Sequence, residues 1–396
     1  MLNKLLLLIV CILAVASAPR PLLAEAADDR LPGNPLEGQQ LFTEKLCIRC
    51  HSIQGVGGKT GPDLGEIWLG SSLEIASKLW NHFPRMNEAF RQGNFPRPTL
   101  SADEAKKLIA FLYFLNYFDK AASAEVGEKL FREKNCIRCH SVGGKGGHVG
   151  PALDRFQGEY AAPVITAALW NHGPKMLQKM LALNVPRPTF EERDVIDILA
   201  FIREKGLFEH TRRGYVRPGD PTSGRALFQQ KGCIRCHSIN GDGGSIGPDL
   251  ARRSLKGRLS FILSHMWNHG AKMWPTMARE RIEFPRFSPD QMADLMTYLY
   301  FLEYRDPRGS AERGKRVFLD KGCAVCHLSP TPGAKTIGPD LSQVGLDSQD
   351  RIIAEMWNHS PAIEATMKQG QIRWPLLDKN EMRDLVEYFL AINKKG

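Results

Sequence analysis

The sequence predicts an all-α protein made of four small helical domains in tandem, and three observations carry that expectation. A five-residue motif, Cys-x-x-Cys-His, recurs at 47–51, 136–140, 233–237 and 323–327. Its first cysteines are spaced by 89, 97 and 90 residues, and a second landmark, Trp-Asn-His, trails them by 33, 34, 34 and 34 residues, at 80–82, 170–172, 267–269 and 357–359. No run alternates apolar and polar residues for long enough to suggest a sheet. Such a period exceeds a solenoid unit and suits a small domain with its own core. With 43% apolar and 24% charged residues, the composition is that of ordinary globular protein and excludes no fold class.

The chain opens with an apolar run over residues 5–18 behind Lys4, long enough for a secretory signal core and short for a membrane span. Export is therefore expected, with a signal peptide over 1–26 that ends at the small residues Ala24-Glu25-Ala26. The alternatives are an uncleaved anchor or a lipid on Cys11, which the bulky Val10 before it disfavours. Four domains follow at 30–119, 120–210, 223–306 and 307–396. A linker over 211–222, rich in Gly, Pro and Arg, accounts for the longer middle spacing and divides the domains into two pairs with freedom between them.

Within each domain the elements repeat in order. A short helix comes first, marked by Gly38 before Leu41-Phe42, Gly127 before Leu130-Phe131, Gly224 before Leu227-Phe228 and Gly314 before Val317-Phe318. After the cysteines a glycine-rich loop ends in Gly-Pro at 61–62, 150–151, 247–248 and 338–339. A middle helix carries Trp-Asn-His and stops at prolines: Pro96 and Pro98, Pro186 and Pro188, Pro285, Pro375. The last helix starts on capping chemistry, Ser101 with Glu104 and Ser288-Pro289-Asp290, and carries a helical stripe such as Leu108, Phe111, Leu112 and Leu115. Phe111, Phe201, Tyr298 and Tyr388 occupy equivalent places in it.

Cys-x-x-Cys-His is the attachment signature of a c-type haem: two thiols form thioethers to the porphyrin and the adjacent histidine reaches the iron. Zinc would want a second Cys or His pair close in sequence, and none is present; a redox dithiol has no need of a histidine four times over. Four haems c are expected, held by Cys47 and Cys50, Cys136 and Cys139, Cys233 and Cys236, and Cys323 and Cys326, with His51, His140, His237 and His327 on the iron. Eight of nine cysteines are thereby used and the ninth, Cys11, lies in the leader run, so no disulfide is expected.

This order of motifs resembles tandem class I cytochrome c domains over nearly all of 34–394. The resemblance implies an all-α domain around one covalent haem, a crossing of first and last helices at the Gly and aromatic positions, and Pro62, Pro151, Pro248 and Pro339 accepting the Nδ1–H of the proximal histidines through their carbonyls. It also implies a methionine iron ligand just before the last helix. There the chain departs, with Phe95, Val185, Phe284 and Trp374 in that place. The methionines fall six residues after the tryptophan, at Met86, Met176 and Met273, or ten after it, at Met180, Met277 and Met367. Positions two, six and ten share one helical stripe. Met86, Met176, Met273 and Met367 are the leading candidates, and His82, His172, His269 and His359 are their rivals. Core packing of the methionines is the plain alternative. Each tryptophan is expected as a haem-pocket wall whose indole N–H finds a propionate or a carbonyl.

The expected function is electron transfer between respiratory redox proteins by an exported, periplasmic tetrahaem cytochrome. The alternatives are a haem enzyme with one open iron, peroxidase-like or acting on a small molecule, and a cytochrome subunit of a membrane redox complex. A net charge of +10 is scattered rather than gathered in a tail, and haem propionates would offset it, so nucleic acid is not an expected partner. Donor, acceptor and oligomeric state are not written in the sequence.

Overall fold

A computed structural model describes residues 32–119, 122–155, 162–205, 218–252, 258–304, 306–328 and 336–394. The expected signal peptide and most of the expected linker lie outside the described residues. Helix α7 begins at Pro221, inside the range expected for that linker, because Asp220 caps it by accepting the Thr222 amide at 2.8 Å.

Each repeat holds three principal helices. The first contains α1 (Pro35–Glu44), α2 (Ser72–Gln92) and α3 (Ala102–Leu115), and the second contains α4 (Ala124–Glu133), α5 (Ala162–Ala182) and α6 (Asp194–Lys205). The third contains α7 (Pro221–Gln230), α8 (Leu259–Arg279) and α9 (Pro289–Phe301). The fourth contains α10 (Ala311–Asp320), a single turn α11 (Ala324–His327), α12 (Gln349–Gln369) and α13 (Lys379–Asn393). Strand structure among the described residues is confined to two-residue hairpins after the histidines of repeats 1 to 3, such as Ser52–Ile53 with Val56–Gly57. The capping boxes at Ser101 with Glu104 and at Ser288 with Gln291 are formed, and Asp378 with Glu381 adds a third.

First and last helices cross in every repeat, α1 on α3, α4 on α6, α7 on α9 and α10 on α13. The glycines at the crossings have no room for a methyl group. A Cβ on Gly38 would lie 2.1 Å from the Lys107 carbonyl oxygen, and on Gly314 2.0 Å from that of Asp384. Beside them the paired aromatics meet: Phe42 with Phe111, Phe131 with Phe201, Phe228 with Tyr298 and Phe318 with Tyr388, at 5.5 to 5.9 Å between ring centres. In repeats 2 to 4 one carboxylate secures the start of the first helix from the last: Asp197 accepts the Ser123 amide, Asp294 that of Asp220 and Asp384 that of Ser310, at 2.7 to 2.8 Å. Burial alone would raise the Asp384 pKa, but Arg313 and the Ser310 amide hold it below the usual carboxylate range. Lys107 takes this place in repeat 1 and pairs with Glu37 instead.

The pairing of domains differs from the expectation of neighbours in sequence. Repeat 1 pairs with repeat 4, and repeat 2 with repeat 3, through contacts of α2 with α12 and α13 and of α5 with α8 and α9. The reason lies in the middle helices. Trp80 Nε1–H donates to the Pro375 carbonyl at 2.7 Å, and Trp357 Nε1–H donates back to Pro98 at 2.9 Å. Trp170 and Trp267 do the same to Pro285 and Pro188 at 2.8 Å. The indoles thus find carbonyls, as one of the expected outcomes had it, but in another repeat, so these rings wall an interface between repeats.

Repeats 1 and 3 also meet. Asp119 accepts the Ser260 amide at the start of α8, and Asp306 accepts the Leu73 amide at the start of α2, at 3.1 and 3.0 Å. Between these caps lies an aromatic cluster in which Tyr113 packs on Tyr300, Phe301 and Tyr304 at 5.1 to 5.2 Å.

Candidate haem sites

Each site is assembled from the end of the first helix. A residue in the left-handed conformation, Leu46, Asn135 or Gly232, turns the chain into a short 3-10 turn that carries both cysteines of repeats 1 to 3. A lysine two residues before the first cysteine anchors this turn to the proline segment. Lys45, Lys134, Lys231 and Lys321 donate to the carbonyls of Thr99, Thr189, Arg286 and Leu376 at 2.7 to 2.9 Å. Burial pushes the first thiol of each motif, Cys47, Cys136, Cys233 and Cys323, up to about 11, so each is a neutral thiol in apolar surroundings.

The proximal histidines are oriented as the resemblance implied. His51 Nδ1 lies 3.1 Å from the Pro62 carbonyl oxygen, His140 2.9 Å from Pro151, His237 3.1 Å from Pro248 and His327 3.0 Å from Pro339. A carbonyl can only accept, so Nδ1 carries the proton and Nε2 keeps its lone pair for a metal. The glycine before each proline is fixed by the ring: a Cβ on Gly61, Gly150, Gly247 or Gly338 would sit 2.4 to 2.5 Å from the imidazole Cε1. The loop that brings Gly61 there is tied by Asp63, which accepts from the amides of Gln54, Gly55 and Gly65 and from the Ser52 hydroxyl. Asp249 ties the loop of repeat 3 through Asn240, Gly241 and Ala251. In repeat 2, where Ala152 takes that position, Asp154 accepts the Gly143 amide. A half-buried thiol packed against the core, a second cysteine three residues on and an imidazole with a free Nε2 fit a covalent haem in every repeat.

The distal candidates lie on continuous helices, so positions two, six and ten after each tryptophan do share a stripe. His82, His172, His269 and His359 are exposed, and each bonds the carbonyl four residues back through Nδ1, at 2.9 to 3.1 Å. Met86, Met176, Met273 and Met367 are half-buried. Met176, Met180, Met273 and Met277 pack against the core. In repeat 4, Ile363 stands at position six and His359 also pairs with Glu355 at 3.0 Å.

Sequence reasoning missed one functional feature of these helices. Pro84, Pro174 and Pro361 stand four residues after their tryptophans, inside the helices. Lacking an N–H, such a proline leaves the tryptophan carbonyl without its helical donor. Trp80's carbonyl accepts Trp374 Nε1–H from repeat 4 at 3.0 Å, and Trp357's accepts Arg97 from repeat 1. Trp374 stacks on Trp80 with ring centres 4.3 Å apart, Phe284 stacks on Trp170, and the Arg97 and Arg187 guanidinium groups lie 4.5 Å over Trp357 and Trp267. Two of the residues that replace the expected pre-proline methionine, Trp374 and Phe284, thus serve the pairing of repeats, whereas Phe95 lies under Arg49 of its own repeat and Val185 is buried.

Comparison with known proteins agrees with this geometry. The cytochrome c family matches residues 36–115, 124–205, 222–302 and 311–393. The chain is 27% identical over 151 residues to "Cbb3-type cytochrome c oxidase subunit FixP" of Bradyrhizobium diazoefficiens, across 35% of this chain and 46% of that protein. It therefore spans less than half the length of that relative. No solved structure matches. With a family domain around each of its four Cys-x-x-Cys-His motifs, the chain belongs to the cytochrome c family, as a multihaem protein that carries four covalent haems c.

Proposed function

We propose that the protein is exported and carries electrons outside the cytoplasm between respiratory redox partners, with His51, His140, His237 and His327 as proximal ligands. The observation that carries this reading is the fourfold repetition of one proximal geometry, histidine Nδ1 on a proline carbonyl with a glycine against the ring. When bound, the haem iron supplies a one-electron couple. The chain's part is to hold Nε2 toward the metal, keep the first thiol in apolar surroundings and offer a distal donor. Met86, Met176, Met273 and Met367 are the donors that the half-buried stripe favours over the exposed histidines. Sulfur raises the potential relative to a second imidazole, which suits a carrier that feeds an oxidising acceptor.

The likeness to a cbb3-type oxidase subunit supports a second reading, attachment to a membrane respiratory complex. Among the described residues no helix is long and apolar enough to cross a membrane. Cell fractionation separates the two. Release of the haem-stained protein by osmotic shock supports a free periplasmic carrier; retention until detergent is added supports the complex. A cytoplasmic protein without haem contradicts both.

A further inference from the structure

The middle helix of each repeat has two faces. Positions two, six and ten after the tryptophan carry the distal candidates. The tryptophan, the asparagine after it and positions three and seven face the partner repeat. Phe83 packs on Trp357 and Trp374, Trp274 fits where a Cβ on Gly173 would come within 2.3 Å of it, and Asn87 bonds Glu364.

The asparagine is the firmest grip on this second face. Asn81 Nδ2–H donates to the Leu377 carbonyl at 2.8 Å and its Oδ1 accepts the Leu377 amide at 2.9 Å. Asn358 holds Leu100 in the same way, Asn171 holds Phe287 and Asn268 holds Phe190, with all eight bonds at 2.8 to 3.0 Å. Two bonds from one amide to one backbone residue fix the rotation of a helix about its axis as well as its height. Met86 lies five residues further along the same helix, so a turn or slip at Asn81 moves it too. A metal ligand tolerates a displacement of only ~0.5 Å.

We propose that Asn81, Asn171, Asn268 and Asn358 are positioning residues for the distal iron ligand of their own repeat, and that they act through the partner repeat. The four haem environments are then set in pairs, 1 with 4 and 2 with 3, and none is an independent module. This rests on the reading that the stripe of positions two, six and ten completes the iron coordination, whether by sulfur or imidazole.

The test uses the full-length holoprotein with its four haems, as wild type and as Asn81→Ala, Asn358→Ala and Trp80→Phe. The last removes the indole N–H while keeping an aromatic ring at the interface, and keeps the test readable where the alanine variant folds poorly. Three readouts are needed: amide hydrogen exchange at Leu377 and Leu100, ferric low-spin spectra, and the midpoint of each haem. In Asn81→Ala the Leu377 amide exchanges faster and one haem of the four loses its low-spin signature or shifts its midpoint. Trp80→Phe shifts that same haem by less, and Asn358→Ala affects a different one. Faster exchange with all four haem spectra and midpoints unchanged overturns the proposal. So does unchanged exchange, or the same haem altered in Asn81→Ala and Asn358→Ala. A wild type without low-spin iron overturns the ligand reading itself, and the proposal with it.

Discussion

Gly61 shows how much of each haem site is decided by a single residue. It sits against the His51 ring because the carbonyl of the next residue, Pro62, has to reach Nδ1, and the space between glycine and ring holds a hydrogen atom and no more. Gly61→Ala would drive a methyl group into the imidazole, and overpacking of this kind costs about 1–3 kcal/mol. The ring has no slack along the bond to the carbonyl, so the expected relief is rotation of His51 out of line with the iron. The variant should keep its other three haems intact and show one with altered ferric spectrum and lower midpoint reproducibility on repeated reduction. Four unchanged haem spectra would mean that the ring is not held by this contact.

At the scale of the helix, the interior prolines turn a local defect into a long-range bond. Pro84 gives up one helical hydrogen bond, and the carbonyl so freed receives an indole N–H from a residue 294 positions away. Trp374→Phe keeps a ring for stacking and removes the donor, and a lost hydrogen bond of this type costs about 0.5–1.5 kcal/mol. Thermal unfolding of the holoprotein should show a lower midpoint for the 1·4 pair with the 2·3 pair unaffected. A fall in both, or in neither, would contradict the assignment of Trp374 to that pair. Much else at this scale was legible in the chain: Ser101 with Glu104 and Ser288 with its neighbours signal helix starts by chemistry that acts over three residues. Gly38 and Phe111 signal the crossing because a glycine and an aromatic recur in step. The tryptophans were legible as important but not as to partner, since periodicity reports which residues share a face and not what the face meets. The proline four residues after the tryptophan was the available clue.

For the whole molecule, the order of pairing matters more than the order in sequence. Repeats 1 and 3 share Tyr-Phe-Leu-x-Tyr-x-Asp, at 113–119 and 300–306, which repeats 2 and 4 lack, and these are the residues that join 1 to 3. With 1·4, 2·3 and 1·3 all in contact, residues 32–205 and 218–394 behave as two like halves clasped reciprocally. The halves are therefore held by their interfaces as well as by the chain that joins them. A specific protease site placed between Thr211 and Gly214 and then cleaved should give two fragments that co-elute with all haems and unchanged spectra. Separation of the fragments at ordinary salt would show that the pairing depends on the covalent link. Spacings of 89, 97 and 90 residues revealed the halves but suggested pairs of sequence neighbours, because a linker length says where a chain can bend and nothing about which surfaces fit.

Four like sites that serve electron transfer should each hold an iron closed on both sides by the protein. The most direct test is to count haems against protein in the pure chain and then expose the reduced form to carbon monoxide. Four haems are expected, low-spin in both oxidation states, with no carbon monoxide bound and full reoxidation by an outer-sphere oxidant. A haem that is high-spin and takes up carbon monoxide, above all in repeat 4 where Ile363 replaces the methionine, would contradict it and bring forward a haem enzyme with an open iron.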